Sequence, residues 1–213
     1  MEFACSAHRA GVARGELRQT DVRVLEDGAI LALASALGPP RLWGYGIDAA
    51  FAGLVEGLSR PHDGRVITRL HQGLDAAGAR LKASVEALVE RRRCDVGLVA
   101  LAFEAGQVHV LSVGPVRAYL RRRDQVKRLT PREDRAEGLL KARPSFCSER
   151  AEPNDLVVAG SLPAFCDESL QSLGTALAAN PGLPTRQVTE LLNRSAAAGR
   201  LGVSSMALRI PQF

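Results

Sequence analysis

VGLVALAFEAGQVHVLSVGPVRAYLRRRDQVKRLT, residues 96–130, is the stretch that decides the fold. Val96 to Phe103 is apolar on both alternating faces, which predicts a central strand covered on each side. Glu104-Ala105-Gly106 turns it into Val108 to Val113, and Gly114-Pro115 turns that into Val116 to Leu120. Residues with a preference for pleated sheet fill all three runs, so the segment reads as an antiparallel meander. Arg117 stands just past the second turn, and no acidic residue follows Gly114 there.

Upstream, Val22 to Leu25 and Ala29 to Ala34 read as short strands around the turn Glu26-Asp27-Gly28. From about Leu42 to Leu58, and again from about Gly64 to Arg93, apolar residues recur at helical spacing. Downstream, Pro131 to Ala142 reads as a helix with Thr130 as its N-cap. Asp155 to Ala159 is a strand, Ser161 to Ala179 and Thr185 to Ala198 are helices, and Val203 to Ile210 is the closing strand. This order predicts an α+β fold: a four-layer αββα sandwich of two antiparallel sheets flanked by helices, formed by residues 1–213 as one domain.

With 213 residues, 46% of them hydrophobic, the chain can bury a full core. No apolar run reaches the roughly 20 residues of a membrane helix, and MEFACSAHRAG lacks a secretory signal, so a cytoplasmic protein is expected. Cys5, Cys94, Cys147 and Cys166, like His8, His62, His71 and His109, show no metal-ligand spacing and read as reduced thiols and isolated imidazoles. The formal charge of +5 owes much to Arg91-Arg92-Arg93 and Arg121-Arg122-Arg123. These read as a helix end and a solvated strand edge. Nucleic-acid binding ranks last among the functions considered, because only 4% of residues are aromatic and no recognition motif accompanies the charge.

Residues 96–130 resemble the metal-dependent Ser/Thr protein phosphatases of the type 2C family (PPM-type), whose pattern runs V-V-A-L-I-E-D-G-x-L-x-V-A-N-V-G-D-S-R-A-Y-L and then, after a short turn, L-T. Gly106, Gly114, Arg117, Ala118, Tyr119, Leu120, Leu129 and Thr130 fall in register. Weaker echoes lie in GVARGELRQTD, AILALASALGPP, EPNDLVVAGSLPAF and GRLGVSSMALRI.

The resemblance implies two magnesium or manganese ions in a carboxylate-rich cleft, activating a water for attack on phosphorus. It also shows where this sequence departs from the family. The aspartate of D-G-M-G-G falls at Ser35, with Ala36 in place of its glycine. That of S-D-G falls at Ser161 or Leu162, and the closing aspartate and asparagine fall at Leu201 and Gly202. Pro115-Val116 replaces the turn's Asp-Ser. Asp21 is the one remaining candidate ligand, and reaching it requires a small insertion after Gly11. Two dications about 4 Å apart repel by roughly 17 kcal/mol at an effective dielectric near 20, which one carboxylate does not offset.

The expectation is therefore a pseudophosphatase: no catalytic residues, no cofactor, and a protein-binding or scaffold role in bacterial-type phospho-signalling. The partner would be a protein such as a kinase or phosphoprotein, with no membrane involved and the oligomeric state left open. Arg14 or Arg18 stands where the family's phosphate-holding arginine is expected, offering a bidentate contact to phosphate or to the partner. The alternative is a divergent, weakly active enzyme using magnesium or manganese, its site rebuilt from Asp21, Asp48, Asp95, Asp155 or Asp167.

Overall fold

In the computed structural model, which describes residues 2–12, 15–26, 29–61, 63–88, 94–132 and 137–211, Val96 to Ala102 are all buried. They belong to strand β6 (Asp95–Glu104), in the middle of a five-stranded antiparallel sheet. Its order is β10 (Ser145–Arg150), β7 (Gln107–Val113), β6, β5 (Ile30–Leu37), β4 (Thr20–Leu25). A second five-stranded sheet is ordered β1 (Glu2–His8), β12 (Val203–Arg209), β11 (Leu156–Ser161), β8 (Val116–Arg122), β9 (Gln125–Arg128). A small ribbon, β2 (Ala10–Val12) with β3 (Gly15–Leu17), joins β1 to β4.

The alternation along β6 dictates the layers. Leu98, Ala100 and Ala102 point to one side, where helices α1 (Trp43–Leu58) and α2 (Val66–Glu86) supply Ile47, Phe51, Leu54, Leu70 and Leu81. Val99 and Leu101 point to the other, meeting Ala118, Leu120, Val157, Met206 and Leu208 of the second sheet. Helices α3 (Asp167–Ala179) and α4 (Thr185–Ala198) cover that sheet's outer face through Leu173, Leu177, Val188 and Leu192. The result is the four-layer αββα sandwich expected from the sequence. Each fully buried leucine or valine contributes about 1.5–3 kcal/mol, so the three apolar seams dominate stability.

The first helix pair closes through glycines. A Cβ on Gly53 would lie 2.4 Å from the Ala76 carbonyl oxygen, and one on Gly57 2.3 Å from that of Gln72. The two backbones are thus in direct contact.

The meander's second turn is held from outside. Asp95 accepts the N–H of Val96 at 2.8 Å, of Gly138 at 2.9 Å and of Leu140 at 3.1 Å, while the Leu139 N–H donates to the Val96 carbonyl at 2.8 Å. This clamps residues 137–140 against Gly114, which has φ +77° and no room for a Cβ beside the Glu137 carbonyl oxygen.

The clamp also corrects one expectation. No helix forms among the described residues of 131–142, because the amides of 138, 139 and 140, which would continue its ladder, are taken by Asp95 and Val96. Thr130 is not an N-cap; its hydroxyl accepts from the Ala118 N–H at 3.3 Å. Helix α3 begins at Asp167, since Ser161 still belongs to β11, Leu162–Phe165 form a short 3-10 turn, and Cys166 is extended. Helix α2 stops at Glu86, and Arg91-Arg92-Arg93, like the turn residues Asp27 and Gly28, lie outside the described residues. Arg121-Arg122-Arg123 is more than a solvated edge: Arg122 reaches buried Asp155 through Nη2 at 2.7 Å and Nε at 3.1 Å. The sequence reading also missed β1, β2, β3, β9 and β10.

Strand β1 locks α4. The Glu2 carboxylate accepts the Thr185 N–H at 2.7 Å and its hydroxyl at 2.9 Å, serving as an N-cap from a distant part of the chain. These hydrogen bonds hold the Glu2 carboxyl below its ordinary 4.5. A depressed carboxylate stabilises the fold fully above its unfolded pKa, and that contribution fades as pH falls through the folded value.

Two outcomes follow for chemical denaturation. Asp95→Ala is expected to destabilise the fold by about 2–4 kcal/mol through the orphaned amides of 138 and 140. Glu2→Gln is expected to cost about 1 kcal/mol at neutral pH, with the gap to the parent chain closing as pH drops below about 4.5.

Candidate functional site

The positions singled out by the sequence meet at one end of the sandwich. Thr20 pairs with Ser35 across β4 and β5, the Ala36 N–H donates to the Gln19 carbonyl at 2.8 Å, and Gly202 lies beneath Gln19. Ser161, at the end of β11, joins Ser204 of β12: its Oγ accepts the Ser204 N–H at 3.1 Å. The fold thus gathers residues from β4, β5, β11 and β12 on one rim, and the question is what their side chains can hold.

Ser35 is 8% exposed, and Ala36, at 1%, belongs to the core against α1. Leu162 and Leu201 are 41% and 52% exposed and line one open hollow of about 550 Å³ with Pro163, Cys166 and Ser195. Gly202 has no space for a side chain, since its Cβ would sit 2.6 Å from Gln19 Cβ and 2.8 Å from Gln19 Oε1. A carboxylate at that position would have to displace Gln19.

Asp21 is already engaged. Arg18 lies 3.5 Å from Asp21 Oδ2 and Arg23 lies 3.6 Å from the same oxygen. Both guanidinium groups also meet Asp48 of α1, at 2.5 Å and 3.2 Å, and Arg18 donates to the Gly44 carbonyl at 3.2 Å. Arg23 rests over the Phe51 ring, 4.3 Å from its centroid. Two cations and two anions form a closed, neutral set. A dication about 4 Å from a guanidinium meets about 8 kcal/mol of repulsion at an effective dielectric near 20, which offsets the pull of a carboxylate at the same distance, so the neutral set offers no net anionic charge to hold one.

Arg18 is therefore bound to aspartates rather than poised over a cleft, and Arg14 lies outside the described residues. The network includes Arg23, which sequence reasoning missed. Its signal was faint: an arginine two residues past an aspartate, in a strand.

The other carboxylates named as a rebuilt site are dispersed. Asp95 clamps residues 138–140, Asp155 holds Arg122, and Asp167 opens α3 beside Glu168. Among the described residues no group of three or more His, Cys, Asp or Glu side chains is arranged to hold a metal ion. Ser35, Ala36, Leu162, Leu201 and Gly202, where the resemblance expects ligands, carry no carboxylate and do not fit a pair of divalent cations. The cysteines are unpaired, and burial pushes the Cys5 and Cys94 thiols up to about 11, away from nucleophilic use. Among the described residues no helix is long and apolar enough to cross a membrane.

The sequence matches no protein-family model and no curated protein sequence. Solved structures nevertheless share the fold over nearly the whole chain. The serine/threonine phosphatase PstP/Ppp of Mycobacterium tuberculosis superposes with a TM-score of 0.80 at 16% identity, covering 99% of both chains. The catalytic domain of PstP with two manganese ions gives 0.80 at 17% identity, covering 99% of this chain and 98% of that one. PppA of Pseudomonas aeruginosa, described as a key regulatory component of T6SS, gives 0.76 at 16%, covering 98% and 97%. The chain has the fold of the type 2C Ser/Thr phosphatases.

Gly202→Asp, which adds a carboxylate next to the position that the resemblance gives the closing aspartate, is expected to lower stability by about 1–3 kcal/mol through overpacking against Gln19. Pairing it with Gln19→Gly recovers part of that loss in the same denaturation measurement if the clash is the cause.

Proposed function

We propose that this chain is a type 2C phosphatase-like domain that has given up metal-dependent hydrolysis and serves as a protein-binding or scaffold module in phospho-signalling. The observation that carries this reading is the closed ion set of Arg18, Asp21, Arg23 and Asp48, together with the departures from the family's pattern at Ser35, Ala36, Leu162, Leu201 and Gly202, where the resemblance expects its metal-binding motifs. In-line attack on phosphorus by a metal-activated water needs several oxygen ligands on hard cations. A leucine supplies no lone pair, and Asp21 is held by two arginines.

The two exposed leucines support a binding role. Where a phosphatase would keep a hydrated, anionic cleft, this rim offers apolar surface beside Asp167 and Glu168. Apolar surface rimmed by polar groups favours protein contact over ion binding.

The test is an aryl phosphate assay with manganese, magnesium or calcium, run alongside thermal denaturation. Expected are rates equal to buffer and a melting temperature unmoved by metal or by chelator. Hydrolysis that rises with manganese and disappears with chelator overturns the reading in favour of a divergent phosphatase.

A further inference from the structure

The outer helix layer is narrower than the sheet beneath it. Two helices at about 10 Å each span about 20 Å, while five strands at about 4.8 Å span about 24 Å. Helix α4 lies on β1 and β12, and α3 lies beside it over β11, so the shortfall falls on β8 and β9. A groove of about 260 Å³ remains between α3 and that hairpin, lined by Tyr119, Val126, Val158, Leu170, Leu173 and Leu177. Val126 is 65% exposed and Leu170 41%.

Arg121 lines this groove and also a neighbouring hollow of about 750 Å³ that includes Arg123 and Arg209. Residues 116–128 hold five arginines and one lysine against one aspartate, a net +5 equal to the formal charge of the whole chain. Local acids neutralise only part of it: Arg122 takes Asp155 and Glu152, Lys127 takes Glu149, and Arg121 lies 3.9 Å from exposed Asp124, which with Glu152 and Asp155 also lines the hollow. The Nε atoms of Arg117 and Arg209 are buried without a hydrogen-bond partner among the described residues. Arg123 occupies the hairpin turn at φ +54°, a region where a non-glycine residue is uncommon.

An apolar trough with a cationic mouth calls for an occupant that is both apolar and acidic. A nucleic acid would supply the anions but would find no open ring for stacking: Phe165 is 4% exposed, and Tyr119 packs against it with centroids 5.1 Å apart. We propose that the groove between α3 and the β8–β9 hairpin docks a segment of a partner protein that carries apolar side chains beside acidic residues. The apolar side chains lie on Val126, Leu170 and Leu173, and the carboxylates face Arg121 and Arg123. The proposal rests on the reading of the chain as a protein-binding module and names the surface and the chemistry of the partner.

The experiment selects short random peptides displayed against the full chain and measures the recovered peptides by fluorescence anisotropy. Expected are sequences pairing apolar with acidic residues, whose affinity falls as salt rises. Leu170→Glu, and separately Arg121→Glu with Arg123→Glu, should each weaken binding about tenfold or more. Circular dichroism and melting temperature identify any variant that has lost its fold, and Val126→Ser serves as a milder groove variant. Recovery of no peptide, or of peptides indifferent to these substitutions, overturns the proposal. So does a Leu170-dependent dimer in sedimentation, which makes a second copy the occupant, or binding confined to single-stranded DNA or anionic vesicles. Chelator-sensitive hydrolysis with groove-dependent peptide binding intact would remove the scaffold reading and keep the groove. An inert chain without such binding would do the reverse.

Discussion

The requirement to bury both faces of β5 and β6 organises the molecule. Strands apolar on two sides need a layer on each, and with helices on one side and a second sheet on the other, that second sheet needs helices of its own. The four layers follow from Ile30 to Ala36 and Val96 to Ala102, all of which are buried. Most charged side chains lie on the rims and the outer faces, with buried Asp155 paired to Arg122, so a rim residue can change its chemistry without disturbing the apolar seams. The same four layers can therefore close over rims of quite different chemistry.

Legibility in the sequence followed the same division. The meander could be read because its signals are local: continuous apolar runs separated by Gly106 and Gly114. The helix expected over 131–142 was wrong for a non-local reason, since its amides belong to a carboxylate over forty residues upstream in β6. Strand β10, Ser-Phe-Cys-Ser-Glu-Arg, carries too weak an alternation to announce itself, and its partner β7 supplies the pairing that makes it a strand. The helix expected from Ser161 starts later, since Ser161 still pairs in β11 and its oxygen is spent on Ser204.

At the site, residue identity was visible and residue partnership was not. That Leu162, Leu201 and Gly202 are poor metal ligands can be read from their chemistry alone. That Asp21 is shared by Arg18 and Arg23 with Asp48 requires α1 to be folded back over β4. Nor could composition reveal that Gln19 occupies the space over Gly202. Ion pairs exposed to this degree add little to stability. Their weight here lies in leaving Asp21 and Asp48 no net charge to offer a cation rather than in holding the strands.

The backbone contact between α1 and α2 bears on how relatives of this chain should be compared. Where Gly53 and Gly57 touch the opposite main chain, any side chain would force the helices apart whatever chemistry the protein performs. Invariance at those two columns of a future alignment would report the spacing of a helix pair, and a survey ranking positions by invariance alone would mistake that seam for an active centre.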